Sequence, residues 1–481
     1  MLRQRGNRGK FLYLAIGSFS NSISLVEHFC PKSSLATYFS KGGNRPQASS
    51  WFKDFCERPL NLDSSTGREI FCPGMDSTPL RIAFLTATFA TEPDSGGMGA
   101  YLHRLTKVLH ELGHEPEVFT LSRERPGVIT FDKIRVERVG VPGNLPLRAI
   151  RRLSRLHPKL NISELGECVL AALGLARAFY SRDREKRFDL VQSSDYGLAG
   201  LFINKHPSRR HLVRCSWAAD LFISADGEFD KLSSRLYCWL ERYCIRKADV
   251  AYAPSEFVAR HYKEEHGLQI EVLRPPFMLE TEAASTLPWD LPERYFMYFG
   301  AICPRKGTDV LAAALPVVWL KEPEFTMVWA GEAWCGAIEN YRRAWGEHAS
   351  RVKWLDYIVA KAQLYAVLKR AEAVVIPSRV DNLPNTLIES LLLNVPIIGS
   401  LGASIDELVE PGTNGELVQI GDPKALAEAM LKAWRREGSW KCREPHRPSI
   451  LRQMEPSVAA ANFLRLARMP ASRRSACFQD A

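Results

Sequence analysis

The chain is 481 residues long, which suits two or three domains better than one core. Apolar residues make up 46% and charged residues 25%, an ordinary globular composition, and the net charge of +10 favours anionic partners such as phosphates or acidic headgroups. The 11 cysteines are scattered with no Cys-x-x-Cys pair and no metal-ligand spacing, so free thiols in a reducing cytosol are expected. No apolar run approaches the roughly 18–20 residues that a membrane span needs.

The first 78 residues differ from the rest. Arg3, Arg5, Arg8 and Lys10 precede a short apolar run from Phe11 to Ile16, as in the first two regions of a signal peptide. That run is short, however, and 17–24 is polar without a clear small-residue cleavage site. The stretch after it is rich in Ser, Gly and Pro. Residues 1–78 therefore read as an extension, either disordered or a mis-assigned start with Met75 as the true initiator.

From Arg81 the pattern is regular. Ile82–Leu85 reads as a buried parallel strand. It leads to a glycine-rich loop, Ser95-Gly96-Gly97-Met98-Gly99. A helix follows, with Leu102, Leu105, Leu109 and Leu112 at helical spacing and Gly113 placed to end it. Strands are predicted at Glu117–Thr120, Leu190–Ser193, Leu212–Cys215 and Val250–Ala253, and Cys168–Ala176 reads as a buried helix. Pro275, Pro276, Pro288 and Pro292 then mark a linker. The rhythm restarts with strands at Tyr295–Phe299, Thr326–Ala330, Val352–Leu355, Ala373–Ile376 and Pro396–Gly399, and helices at Leu311–Leu320 and Lys361–Lys369. The class is α/β, with two parallel sheets covered by helices. Ligands of such sheets bind beyond the carboxyl ends of the strands, so the cleft between the two sheets is the expected site.

The stretch from Pro377 to Ser390 carries the most chemistry. Two carboxylates, Asp381 and Glu389, flank a turn that leads from a buried strand into a helix N-terminus, where backbone N–H groups and the helix dipole attract anions. Carboxylates beside an anion site suit a ligand with hydroxyls next to its phosphates. Upstream, Arg305 and Lys306 follow a strand and could neutralise a diphosphate. Alone they would read as a solvated charge pair. The Gly96–Gly99 loop has neither dinucleotide nor Walker spacing and alone reads as a surface loop.

Together these segments resemble a retaining glycosyltransferase of family 4 (glycosyltransferase group 1) with the GT-B fold, two Rossmann-like domains facing a cleft. The resemblance runs from Arg81 to about Met469. It rests on Gly96–Gly99, Ala248–Ser255, Phe299–Gly307, Pro377–Glu389 and Ile405–Gly415. It implies an acceptor domain at 79–278, a linker at 279–292, a nucleotide-sugar domain at 293–455, a helix at 456–469 crossing back to the first domain, and a tail at 470–481. Lys306 would contact the donor diphosphate, with Arg305 beside it, and Asp381 would lie close to the transferred sugar. Glu389 would bind the ribose hydroxyls. The backbone of Asn385, Thr386 and Leu387 would hold the diphosphate, and that near Tyr357 and Ile358 would meet the base. Gly97 would close over the phosphates, with Gly300 ending the strand before the cationic loop.

Three positions depart from the family pattern. Ala301 stands where an Arg is usual, Asp381 replaces the first Glu, and Cys215, Ser216 and Trp217 occupy a region that often holds a His. Trp217 and Phe222 are read as packing residues with a possible place in an acceptor site. The implied reaction is a metal-independent hexosyl transfer, without a cofactor, to a hydroxyl of a glycan or lipid-linked acceptor in polysaccharide or glycoconjugate biosynthesis. The competing readings are a weak or inactive partner that binds nucleotide-sugar, and a nucleotide-sugar epimerase, for which no His/carboxylate set stands out. Nucleic-acid binding fits the charge but not the arrangement of basic residues. Arg148, Arg151, Arg152 and Arg155 follow helical spacing. They form either a solvated face or a contact with acidic headgroups at the inner face of a membrane, the protein being otherwise cytoplasmic.

Overall fold

A computed structural model describes residues 78–140 and 162–468, apart from 94, 228, 230, 280–283, 285, 334–335 and 441–447. The N-terminal extension and the basic segment with Arg148, Arg151, Arg152 and Arg155 lie outside the described residues.

The first domain contains strands β1 (Arg81–Thr86), β2 (Glu115–Ser122), β3 (Gly127–Phe131), β4 (Ile134–Gly140), β5 (Leu190–Ser194), β6 (Arg210–Arg214), β7 (Val250–Ala253) and β8 (Glu271–Val272). Its helices are α1 (Gly96–Glu111), α2 (Ser163–Lys186), α3 (Ala219–Ala225), α4 (Leu232–Lys247) and α5 (Glu256–His266). The strands form one sheet in the order β3-β4-β2-β1-β5-β6-β7-β8, parallel except for the β3–β4 pair. The apolar runs of β1 and β5 are buried on both faces, as expected for strands covered by helices on either side.

The second domain holds β9 (Phe296–Phe299), β10 (Met327–Ala330), β11 (Val352–Leu355), β12 (Ala373–Ile376), β13 (Ile397–Leu401) and β14 (Gly415–Gln419). Its helices are α6 (Thr308–Lys321), α7 (Ala337–Trp345), α8 (Lys361–Arg370), α9 (Asn385–Leu392) and α10 (Pro423–Trp434). The sheet is parallel throughout, in the order β11-β10-β9-β12-β13-β14. One core cluster packs Met297, Val328, Val374 and Ile397 on one face. A second packs Phe296, Trp329, Val375 and Ile398 on the other.

The chain then returns to the first domain. The last helix, α11 (Pro456–Arg468), buries Phe463 against Phe84 of β1, with ring centroids 6.0 Å apart, and joins the core that also contains Leu102 and Leu105 of α1. The end of the first domain just before the linker is pinned to this return, since the Phe277 N–H donates to the Met454 carbonyl at 2.7 Å.

The β3–β4 hairpin is absent from the sequence expectation. Its two-residue turn, Asp132-Lys133, takes positive φ values of 46° and 66° without a glycine. The Asn-Gly or Asp-Gly signal that marks such hairpins is therefore missing.

Candidate active site

Each sheet has a point where its strand order reverses, between β1 and β5 in the first and between β9 and β12 in the second. Loops leaving neighbouring strands there diverge to opposite faces and open a crevice at the strand ends. The Gly96–Gly99 segment follows β1, and Arg305, Lys306 and Asp381 follow β9 and β12, at these points.

After β9, Gly300 adopts φ +130°, a conformation that L side chains rarely enter, and its N–H bonds the Ala330 carbonyl at 3.0 Å. A side chain there would meet Thr386. A short turn over Pro304–Lys306 ends at Gly307, with φ +69°. A Cβ at Gly307 would stand 1.8 Å from the Pro377 carbonyl oxygen. Glycine at this position lets the loop after β9 touch the loop after β12, and the contact presents Lys306 to Asp381. Lys306 Nζ lies 2.6 Å from Asp381 Oδ2, which also accepts from Ser378 Oγ at 3.0 Å. Asp381 is buried, whereas the Lys306 side chain keeps about a quarter of its exposure, 23%.

The turn into α9 is strained. Leu383 takes φ +54° directly before Pro384, where the preceding residue normally avoids compact conformations. It is held by a 2.7 Å bond from its N–H to Ser404 Oγ and by burial of its side chain. Pro384 then starts α9 with no side-chain cap on the first N–H groups. The backbone at Asn385 and Thr386 thereby starts a helix without a side-chain cap, the kind of end that suits an anion. Gly97, in the first turn of α1, closes on this end from the other domain. A Cβ on it would lie 3.2 Å from Asn385 Nδ2. Leu387 is buried in the core beneath. Four residues past Asn385, Glu389 is buried and accepts from Lys361 Nζ at 2.5 Å. Tyr357 is 67% exposed, while Ile358 is buried against the core.

Arg305 points the other way. It is buried, and its guanidinium stands over the rings of Trp217 and Phe222 at 5.4 and 5.2 Å. Its Nε lies 3.4 Å from Asp226 Oδ1. It thus reaches from the second domain onto the first. Trp217 and Phe222 stack on each other at 4.6 Å, and Tyr196 packs edge-on to Trp217.

Several site residues escaped the sequence reading. Asp195, just after β5, is buried and gathers the N–H groups of Tyr196, Ser216, Trp217 and Ala218 at 2.7–3.2 Å. It fixes the turn that carries Trp217. The available signal was a carboxylate directly after a predicted strand. Arg214 ends β6, buried, with its guanidinium 3.7 Å from the Tyr101 ring centre. Asn382 bridges the domains, donating Nδ2–H to the Cys215 and Ser216 carbonyls at 3.1 and 2.9 Å and accepting from Ser255 Oγ at 2.6 Å. Glu407 caps α5 across the cleft, accepting from the N–H groups of Glu256 and Phe257, and pairs with Arg274.

Two family models match the chain. One, described as "Glycosyl transferase 4-like domain", covers residues 96–275, and "Glycosyl transferases group 1" covers 293–436. The lipopolysaccharide core biosynthesis mannosyltransferase LpsB of Rhizobium meliloti is 24% identical over 221 residues, 42% of this chain and 60% of that protein. A glycosyltransferase of Bacillus subtilis, YqgM, matches over 63% of its length, so the chain spans under two thirds of these two relatives. The D-inositol 3-phosphate glycosyltransferase of Corynebacterium diphtheriae is 24% identical, over 70% of this chain and 81% of that one.

Among solved structures, a sucrose-phosphate synthase from Thermosynechococcus elongatus superimposes with a TM-score of 0.63 at 17% identity, covering 81% of this chain and 98% of that one. The Anabaena protein HepE, in complex with UDP and glucose, gives 0.55 at 16%, covering 80% and 98%. At these identities the structural likeness speaks to the fold alone. No helix among the described residues is long and apolar enough to cross a membrane.

Proposed function

Because the chain belongs to the group 1 glycosyltransferases of the GT-B fold, we propose that it transfers a hexosyl group from a nucleotide-sugar to an acceptor hydroxyl, with retention at the anomeric carbon and without a metal ion. The acceptor class is a growing glycan or glycolipid, in keeping with the name of the relative LpsB, a lipopolysaccharide core biosynthesis mannosyltransferase.

The observation that carries this reading is the Lys306–Asp381 pair beside the uncapped start of α9, with Gly97 opposite. The diphosphate lies across the N–H groups of Asn385 and Thr386. Lys306 then neutralises the charge that builds on the phosphate as the sugar leaves, the task otherwise given to a cation held by carboxylates. Glu389 accepts from the ribose hydroxyls, and the backbone near Tyr357 and Ile358 meets the base.

In the chemical step the bond from the anomeric carbon to the phosphate oxygen breaks. The acceptor oxygen bonds the same carbon from the same face, and its proton passes to the departing phosphate. Asp381, with Oδ2 held by Lys306 and Ser378, orients the sugar and steadies the positive charge at its anomeric carbon rather than attacking it. The contacts of Asn382 and Glu407 across the cleft keep water out during the step.

Proton NMR of the earliest product, with donor supplied in excess EDTA, tests the reaction class. Turnover with the anomeric configuration of the donor is expected. An inverted product, or activity that appears only when Mg2+ or Mn2+ is restored, would overturn this mechanism.

A further inference from the structure

On the first domain, α3 and α5 bring three ligand-type side chains together. Asp220 in the first turn of α3 accepts from His261 Nε2 at 3.0 Å and from His266 Nε2 at 2.5 Å, both on the same oxygen, Oδ2. The other oxygen, Oδ1, is taken by the Leu221 N–H at 3.0 Å. The three ligand atoms lie within 4.8 Å of one another, and the side chains keep only 11, 13 and 19% of their exposure. We propose that Asp220, His261 and His266 form a binding site for a divalent transition-metal ion of the zinc class, with water completing a four-coordinate shell.

The donor set is the one such ions prefer, two imidazole nitrogens and one carboxylate oxygen. Bond lengths of about 2.0–2.2 Å in a tetrahedral shell place neighbouring ligand atoms about 3.3 Å apart. The two oxygen–nitrogen gaps need to open by about 0.3 and 0.8 Å to admit the ion. Imidazole rotation can supply this, since the ring planes of His261 and His266 already stand at 88° to each other.

The scaffold around the trio is fixed by a separate set of contacts. Glu241 of α4, fully buried, accepts from the Ala219 N–H at 3.0 Å and from the Tyr262 hydroxyl at 2.9 Å. These are the immediate chain neighbours of Asp220 and His261, so one buried carboxyl sets the spacing between two of the three ligands. Supporting contacts of this kind hold metal ligands in place. Four residues separate His261 from His266, a His-x4-His spacing of the kind zinc sites use, but Asp220 comes from another helix, so the third ligand is not legible in the sequence.

The site ties together two helices that both meet the second domain. The α3 helix carries Phe222, with Asp226 at its end, and both contact Arg305. The start of α5 is capped by Glu407. A bound ion therefore stiffens this wall of the cleft without touching the reacting groups.

The test uses the full chain, stripped with a chelator and titrated with Zn2+ against a competing chromophoric chelator. Asp220→Asn, His266→Gln and the double variant His261→Asn/His266→Gln are titrated alongside. One tight equivalent is expected in the parent and none in the variants beyond any cysteine background, with a zinc-dependent rise in melting temperature only in the parent. Substitution by Co2+ should give a tetrahedral visible spectrum without the sulfur charge-transfer bands of a thiolate site. His266→Gln, the mildest change, keeps the comparison valid if the double variant fails to fold. Absence of tight zinc binding in the parent, or equal binding in parent and His266→Gln, would overturn the proposal.

Discussion

Lys306 and Asp381 come from loops that follow different strands, 75 residues apart in the chain, and meet at 2.6 Å where the second sheet reverses its order. The contact depends on Gly307, which alone lets the loop after β9 press against Pro377. The lysine is held in place by a carboxylate that, in the proposed function, lies beside the transferred sugar. Under the proposed function the donor diphosphate meets a cation that is already positioned.

Removing the lysine leaves Asp381 buried with Ser378 as its remaining side-chain partner. Lys306→Met should lower stability by about 1–3 kcal/mol, the range for a buried charged group that loses a partner. The double variant Lys306→Met/Asp381→Asn should recover most of that loss in chemical denaturation while remaining unable to bind donor. Recovery of donor binding along with stability would show that the pair has only a structural role.

Glu389 is buried and paired with Lys361, whose ammonium fixes the carboxylate that the proposed function assigns to the ribose. Hydrogen bonds to a charged group contribute roughly 1.5–3 kcal/mol. Glu389→Ala should then raise the donor KM about 10- to 150-fold with a smaller change in kcat. A donor lacking the ribose hydroxyls should bind the parent as weakly as the normal donor binds the variant.

Asn382 makes three hydrogen bonds from one domain to the other. Asn382→Ala leaves the Cys215 and Ser216 carbonyls without this donor and should cost about 1–3 kcal/mol. Small-angle scattering should show a larger radius of gyration than the parent, because the contact holds the cleft closed. An unchanged radius would mean that Glu407 and Arg274 suffice.

His211 is buried on β6, where Nε2 meets Ser193 Oγ at 2.8 Å. Burial, reinforced by the nearby Lys247 and Arg209 and opposed by Asp249, pushes its pKa down to about 3. The unfolded chain takes up a proton near pH 6.5 that the folded protein refuses. Stability from this residue is therefore complete above pH 6.5 and is lost as pH falls toward 3, by at most about 1.4 kcal/mol per pH unit. Denaturation of the parent and His211→Gln at pH 7.5 and pH 5 should show the parent losing roughly 2 kcal/mol more. Equal losses would place the acid sensitivity elsewhere.

Much of the architecture was legible because buried parallel strands announce themselves. Val250–Ala253, Val352–Leu355 and Ala373–Ile376 were delimited as the structure has them. Their apolar runs are short and bounded by turn residues. The Asp132-Lys133 hairpin was not legible, because β3 is largely exposed, β4 buries only Ile134 and Val136, and its turn lacks glycine. At the candidate site, the sequence singled out groups carried by single elements or the turns beside them, such as Lys306 and Glu389. It gave no sign of relationships that arise only when the domains meet. Asn382 and Glu407 were not singled out, and Arg305 was read as a partner for the donor, yet each reaches across to the first domain. Such pairings depend on how two sheets face each other, which no local pattern encodes.

The central claim is that a nucleotide-sugar seats on Lys306, Glu389 and the start of α9. Calorimetric titration of the full chain with UDP-, GDP- and ADP-sugars, beside Lys306→Ala/Glu389→Ala, tests it most directly. The account predicts that one nucleotide class binds the parent and that this binding is lost in the variant. A donor that binds both proteins with the same affinity, or no binding of any donor to a cooperatively folded parent, would contradict it.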